Sequence, residues 1–139
     1  MAQDENLAAL GKLAEAVFSG NLAVLDEVFA PNVVDHDPAP DQEPGPDGYK
    51  RFFGGLRAAF PDLTVTVDRL VQTETDIAIA YTIRGTHRGE FSGIAPADRP
   101  INARGMQIAR FEDAKIVERW GSSDELGILL KLGGKVSPG

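Results

Sequence analysis

Met106-Gln107-Ile108-Ala109-Arg110-Phe111, then Glu112-Asp113-Ala114, then Lys115-Ile116-Val117-Glu118-Arg119-Trp120 is the stretch that decides the fold. Two runs rich in β-branched and aromatic residues around a short polar turn read as a β-hairpin. Side chains alternate faces along a strand, so Ile116, Glu118 and Trp120 are expected on one face, and an extended path through Ser122 would keep Asp124 there. That arrangement sets a carboxylate beside a large aromatic surface.

Upstream, the same period of two governs Leu63, Val65 and Val67, and again Ile77, Ile79, Tyr81 and Ile83. The strands expected at Arg99 to Phe111 and Lys115 to Trp120 complete a meander. Before Asp62 the spacing is helical. Leu7, Leu10, Leu13, Ala14, Val17 and Phe18 form an apolar stripe, with Asp4 as cap and Gly20 as stop. Asn21 is expected to cap a shorter helix that Pro31 ends, and Tyr49 to Phe60 a third that Pro61 closes. Asn32 to His36 reads as a short strand entering a proline-rich loop with Pro38, Pro40, Pro44 and Pro46. Ser122 and Glu125 have capping-box spacing for a last helix that Gly133-Gly134 terminates. Helices followed by a twisted antiparallel sheet indicate one α+β domain over residues 1–139, its sheet curling around the helices and leaving a pocket beside the third.

The chain has 139 residues, a length that suits one domain with a sizeable core. With 14 Lys and Arg against 21 Asp and Glu, its net charge of −7 would repel a phosphate backbone, so nucleic acid is not an expected partner. Having no cysteine, it can form no disulfide and offers no thiol nucleophile. Met1 to Asn6 lacks the basic and apolar regions of a secretory signal, and no apolar run reaches the roughly 20 residues that span a bilayer, so a cytoplasmic protein without membrane contact is expected.

Chemistry falls to a few side chains. No phosphate-binding glycine loop, no dinucleotide fingerprint and no pair of histidines at helical metal spacing occurs, and adjacent residues of Asp35-His36-Asp37 would point to opposite faces of a strand, so a metal site is not expected. Asp124 is the candidate acid/base, because apolar walls such as Trp120 would disfavour its charged form. Its competing duty is to sit in the first turn of the terminal helix, where negative charge suits the dipole. His36 and His87 stand where strands give way to loops, suited to hydrogen bonding a carbonyl and its enolate. Phe52, Phe53, Phe91, Met106 and Trp120 would wall an apolar pocket, with Arg104 and Glu118 as polar groups in it; the aromatics would equally fill a core, and Glu118 could pair with Arg104 or Arg110.

Ala59-Phe60-Pro61-Asp62-Leu63, Gly85-Thr86-His87-Arg88-Gly89-Glu90-Phe91-Ser92-Gly93, and Arg110-Phe111-Glu112-Asp113-Ala114-Lys115-Ile116-Val117-Glu118-Arg119-Trp120 through Asp124 to Leu132-Gly133 resemble the SnoaL-like polyketide cyclases, or ester cyclases, from about Leu7 to Gly134. Ala95-Pro96-Ala97-Asp98-Arg99 departs from the Pro-Thr-Gly-Arg turn of many relatives. The resemblance implies the cone-shaped α+β barrel of the nuclear transport factor 2-like superfamily, a homodimer, and a hydrophobic small-molecule substrate. It further implies cofactor-independent intramolecular aldol closure of an aromatic, anthracycline-type polyketide, with Asp124 at the position of the acid/base aspartate and His36 and His87 at pocket positions. Hydroxylation or double-bond isomerisation of a polycyclic ketone is the alternative activity, and a non-catalytic binding or dimerisation module the alternative role.

Overall fold

In the computed structural model, which describes residues 2–135, the first helix α1 (Ala2–Ser19) stops at Gly20, whose φ of 80° suits glycine. Leu10 and Val17 of its stripe are buried, whereas Leu7 and Phe18 at the stripe's margin stay exposed. The expected second helix is smaller than its spacing suggests. A 3₁₀ turn (Leu22–Val24) runs into a single α turn, α2 (Leu25–Val28), and Asn21 makes no side-chain cap. Pro31 does not end this helix but lies within strand β1 (Phe29–Asp35), which begins earlier than expected. Proline is tolerated there because β1 is an edge strand.

After the proline-rich loop, α3 (Pro46–Ala59) starts with proline in its first turn, where the missing N–H costs no helical bond. The meander follows as β2 (Thr64–Gln72), β3 (Asp76–Thr86), β4 (Pro100–Glu112) and β5 (Lys115–Ser123). The β4–β5 hairpin turns on Asp113 and Ala114, both with positive φ (51° and 59°), as a two-residue turn requires to match strand twist. Helix α4 (Glu125–Lys131) closes the described chain, capped by Asp124 rather than Ser122: the Asp124 carboxylate accepts the Gly127 N–H at 2.9 Å.

The five strands lie in the order β1-β5-β4-β3-β2, all neighbours antiparallel except β1, which joins β5 in parallel. Helices cover the inner face in two apolar clusters. Leu10, Leu25, Val28, Phe29, Tyr49, Ile77, Phe111 and Ile116 form one; Val17, Phe60, Leu63, Ile83, Ile101, Ile128 and Leu132 form the other. Leu13 and Phe53 pack against both.

One irregularity decides what faces where. Phe111 pairs with Ile116, but the next β4 residue, Arg110, pairs with Glu118, so β5 carries an extra residue there. This β-bulge breaks the two-residue alternation. Ile116 points into the core, whereas Glu118 and Trp120 leave the opposite, outer face, opposite Arg110 and Ile108. The expectation that Ile116, Glu118 and Trp120 share a face is therefore corrected, and Arg119 takes the inward direction.

Candidate functional site

The inner face gathers a polar network from three elements. At the end of β1, Asp35 has a side chain only 7% exposed and faces Arg119 of β5, whose Nη1 donates to its carboxylate oxygens at 3.2 and 3.3 Å. The Tyr49 hydroxyl of α3 donates to Asp35 Oδ2 at 2.8 Å, while the Tyr49 ring stacks on Phe29 with centroids 3.9 Å apart. Burial first, and then the Asp35 carboxylate it serves, push the Tyr49 phenol well above its ordinary value, so it remains a donor. The Asp37 N–H also donates to Asp35 Oδ1 at 2.9 Å. Asp35 thus spends both oxygens holding its neighbours.

Arg119 is fixed at a second point by Nε, which donates to Gln107 Oε1 of β4 at 2.9 Å. Its guanidinium lies across Gly121, where an added Cβ would come within 2.5 Å of Nη2. Beside it, the Tyr81 ring of β3 lies across Gly105, where a Cβ would come within 2.5 Å of the hydroxyl. Burial raises the Tyr81 phenol as well, with Arg119 opposing and Glu125 adding to the rise. Two glycines thus make room on the inner face for two long polar side chains.

The residues singled out from sequence do not converge. His36, Glu118 and Trp120 meet on the outer face: His36 Nε2 lies 2.8 Å from Glu118 Oε2, and the imidazole stacks on the indole with centroids 4.6 Å apart and planes 7° from parallel. Arg110 Nε donates to the other Glu118 oxygen at 2.7 Å. His36 first and Arg110 second hold the Glu118 carboxyl below its ordinary range. Arg104 and Met106 also face outward and, with Ser122 and the exposed Asp124, line an open concavity of about 560 Å³.

His87 lies elsewhere, fully buried in the second apolar cluster, 5.7 Å from the Phe60 ring between centroids. Its Nδ1 accepts the Ala97 N–H at 3.2 Å, which assigns the ring hydrogen to Nε2, and Nε2 has no partner among the described residues. Phe91 packs edge-on against Phe60, and Phe52 edge-on against Phe53, 5.3 Å apart in each pair. Phe52 is exposed and Phe53 is half-buried core. Among the described residues no three His, Asp or Glu gather as a metal-binding group, and no helix is long and apolar enough to cross a membrane.

Reading the sequence alone missed Asp35, Tyr49, Tyr81, Gln107 and Arg119 as a group. Divergence of Asp35 and His36 to opposite faces was legible from strand alternation; the meeting of Asp35 with Arg119, 84 positions away, needed the parallel β1–β5 pairing.

Comparison with known proteins agrees with this architecture. The family model described as SnoaL-like polyketide cyclase matches residues 8–132. No curated protein matches the sequence. Among solved structures, the chain is similar to IdmH of Streptomyces antibioticus, a proposed polyketide cyclase, at 35% identity and TM-score 0.79, covering 92% of this chain and 98% of that one. It is similar to AclR of Streptomyces galilaeus, a proposed hydroxylase, at 26% identity and TM-score 0.82 over 99% and 90% of the two chains. TsrD of Streptomyces laurentii shares the fold at TM-score 0.87 and 23% identity, over 96% and 98% of the two chains. By the extent of the family match, the chain belongs to the SnoaL-like polyketide cyclases.

Proposed function

We propose that this protein is a cofactor-independent cyclase that closes a ring of an aromatic, anthracycline-type polyketide intermediate by intramolecular aldol condensation. The observation that carries the reading is the inner-face network, in which Asp35 and Gln107 hold the Arg119 guanidinium at two points. A proton leaves a carbon flanked by carbonyls, the enolate carbon bonds to a carbonyl carbon within the same molecule, and the resulting alkoxide takes a proton back. Nothing is gained or lost in mass. Arg119 supplies positive charge where the enolate develops, and Asp35 acts as its positioning residue because its own oxygens are occupied.

Asp124 lies on the outward concavity and not beside Arg119, with one carboxylate oxygen capping α4, so the family resemblance alone, and no contact with the inner-face network, supports it as the acid/base in this reading. Confinement would contribute more than the base, about 7 to 11 kcal/mol for well-oriented intramolecular attack against a factor of about 10² to 10⁴ from proton transfer. The outer sheet face, where Val34, Met106 and Ile108 are exposed beside Trp120, suits a second copy of the chain. Incubating the purified protein with open-chain anthraquinone esters should give a cyclised product of unchanged mass. Absence of ring closure across the panel would reject the reading. A hydroxylase on a polycyclic ketone is favoured only by the likeness to AclR, and oxygen uptake would identify it.

A further inference from the structure

Tyr81 and Arg119 share a feature that the network around Asp35 does not use. Among the described residues, neither the Tyr81 hydroxyl nor Arg119 Nη2 has a hydrogen-bond partner, and neither atom is sealed from solvent. Both lie against backbone that has no side chain, Tyr81 across Gly105 and Arg119 across Gly121. Gly121 pairs with Gln107 and Gly105 with Ser123, so the two glycines sit diagonally on adjacent strands of one inner face. The positive charge of Arg119 reaches Tyr81, where it opposes the rise of the phenol.

We propose that Tyr81 and Arg119 form a receptor for one acidic oxygen of the ligand, an enolate or phenolate, held on the floor made by Gly105 and Gly121. The chemistry follows from the donor set. A guanidinium only donates, and a phenol O–H can donate beside it, so together they favour an anionic oxygen over an ether. Asp35 already neutralises part of the Arg119 charge and Glu125 adds negative potential near Tyr81, so a single delocalised oxyanion fits better than a phosphate or a dicarboxylate. The ligand class is therefore an aromatic or 1,3-dicarbonyl compound with an ionisable oxygen. This rests on the inner-face site of the proposed function and names what that site holds.

The test uses 4-nitrophenol, at a pH where it is ionised, and 4-nitroanisole, which has the same shape with the oxygen methylated. Neither can cyclise, so binding reads the floor alone, whereas failure to close a ring on the ester panel with nitrophenolate binding intact would count against the cyclase reading only. Wild-type protein should bind nitrophenolate at least about tenfold tighter than nitroanisole, the scale of a hydrogen bond to a charged group. Tyr81→Phe and Arg119→Lys should each weaken nitrophenolate by about tenfold or more while leaving nitroanisole unchanged. Amide resonances of Gly105 and Gly121 in the wild-type protein should move on titration with nitrophenolate, a readout that needs no variant to fold. Equal affinity for the two probes, variants that bind nitrophenolate like wild type, or stationary Gly105 and Gly121 resonances would overturn the proposal.

Discussion

Arg119 and Trp120 are consecutive, yet their side chains leave the sheet on opposite sides: Arg119 reaches Asp35 at 3.2 Å within the fold, and Trp120 stacks on His36 outside it, 4.6 Å between ring centroids. The two sides hold different chemistry. Inside, the groups are largely enclosed; outside, a histidine, a carboxylate and an arginine form a partly solvated chain across β1, β5 and β4.

Tyr49→Phe removes the hydroxyl that serves Asp35 and keeps the ring that stacks on Phe29. Urea denaturation at neutral pH should show a loss of about 1.5 to 3 kcal/mol, as for a hydrogen bond to a charged group. The folded protein raises the Tyr49 phenol above its ordinary 10.0, so the stabilisation is complete below pH 10.0 and declines as pH rises beyond it. Wild type should therefore lose stability above that pH more steeply than Tyr49→Phe. Parallel curves would remove Tyr49 from the network.

Glu118→Gln tests the outer chain. Because His36 and Arg110 depress the Glu118 carboxyl below its ordinary 4.5, its contribution is present above pH 4.5 and fades as pH falls through the lowered folded value. Thermal unfolding should place the variant below wild type at pH 7, with the two midpoints converging in acid. A gap that persists at low pH would mean packing rather than charge.

For Asp124, two substitutions separate capping from proton transfer. Asp124→Ala should cost about 0.5 to 2 kcal/mol of stability through loss of the bond to the Gly127 N–H, while Asp124→Asn should keep the cap and most of that stability. Ring closure should fall in both. Full turnover in Asp124→Asn would leave this residue as a helix cap alone.

Ala114→Gly should stabilise the protein by about 0.5 to 1 kcal/mol, because Ala114 is held at a φ of 59° that costs an L residue with a Cβ. Equilibrium unfolding measures the gain. A loss would show that chain entropy outweighs relief at this turn.

Ile108→Glu places a charge in the middle of the outer face, opposite Trp120 and away from the inner clusters. Sedimentation should show wild type associating as a pair and the variant as single chains, with little change in unfolding temperature. A wild type that sediments as single chains would reject pairing through this face.

Sequence by itself determined the elements: the change from helical to two-residue spacing near Asp62, the stop at Gly20, the Asp113-Ala114 turn and the meander that follows are written in local residue preference. These features depend on near neighbours, so they can be read along the chain. It also exposed Asp35, His36 and Asp37 as a cluster whose members must diverge. What tertiary structure decided is which carboxylates lie inside. Pairing of Arg110 with Glu118 inserts an extra residue into β5 and reverses the direction of everything after Ile116, and the parallel seat of β1 brings Asp35 to Arg119. A bulge is defined by its partner strand and a parallel pairing by a distant segment, so neither leaves a period of its own in the sequence.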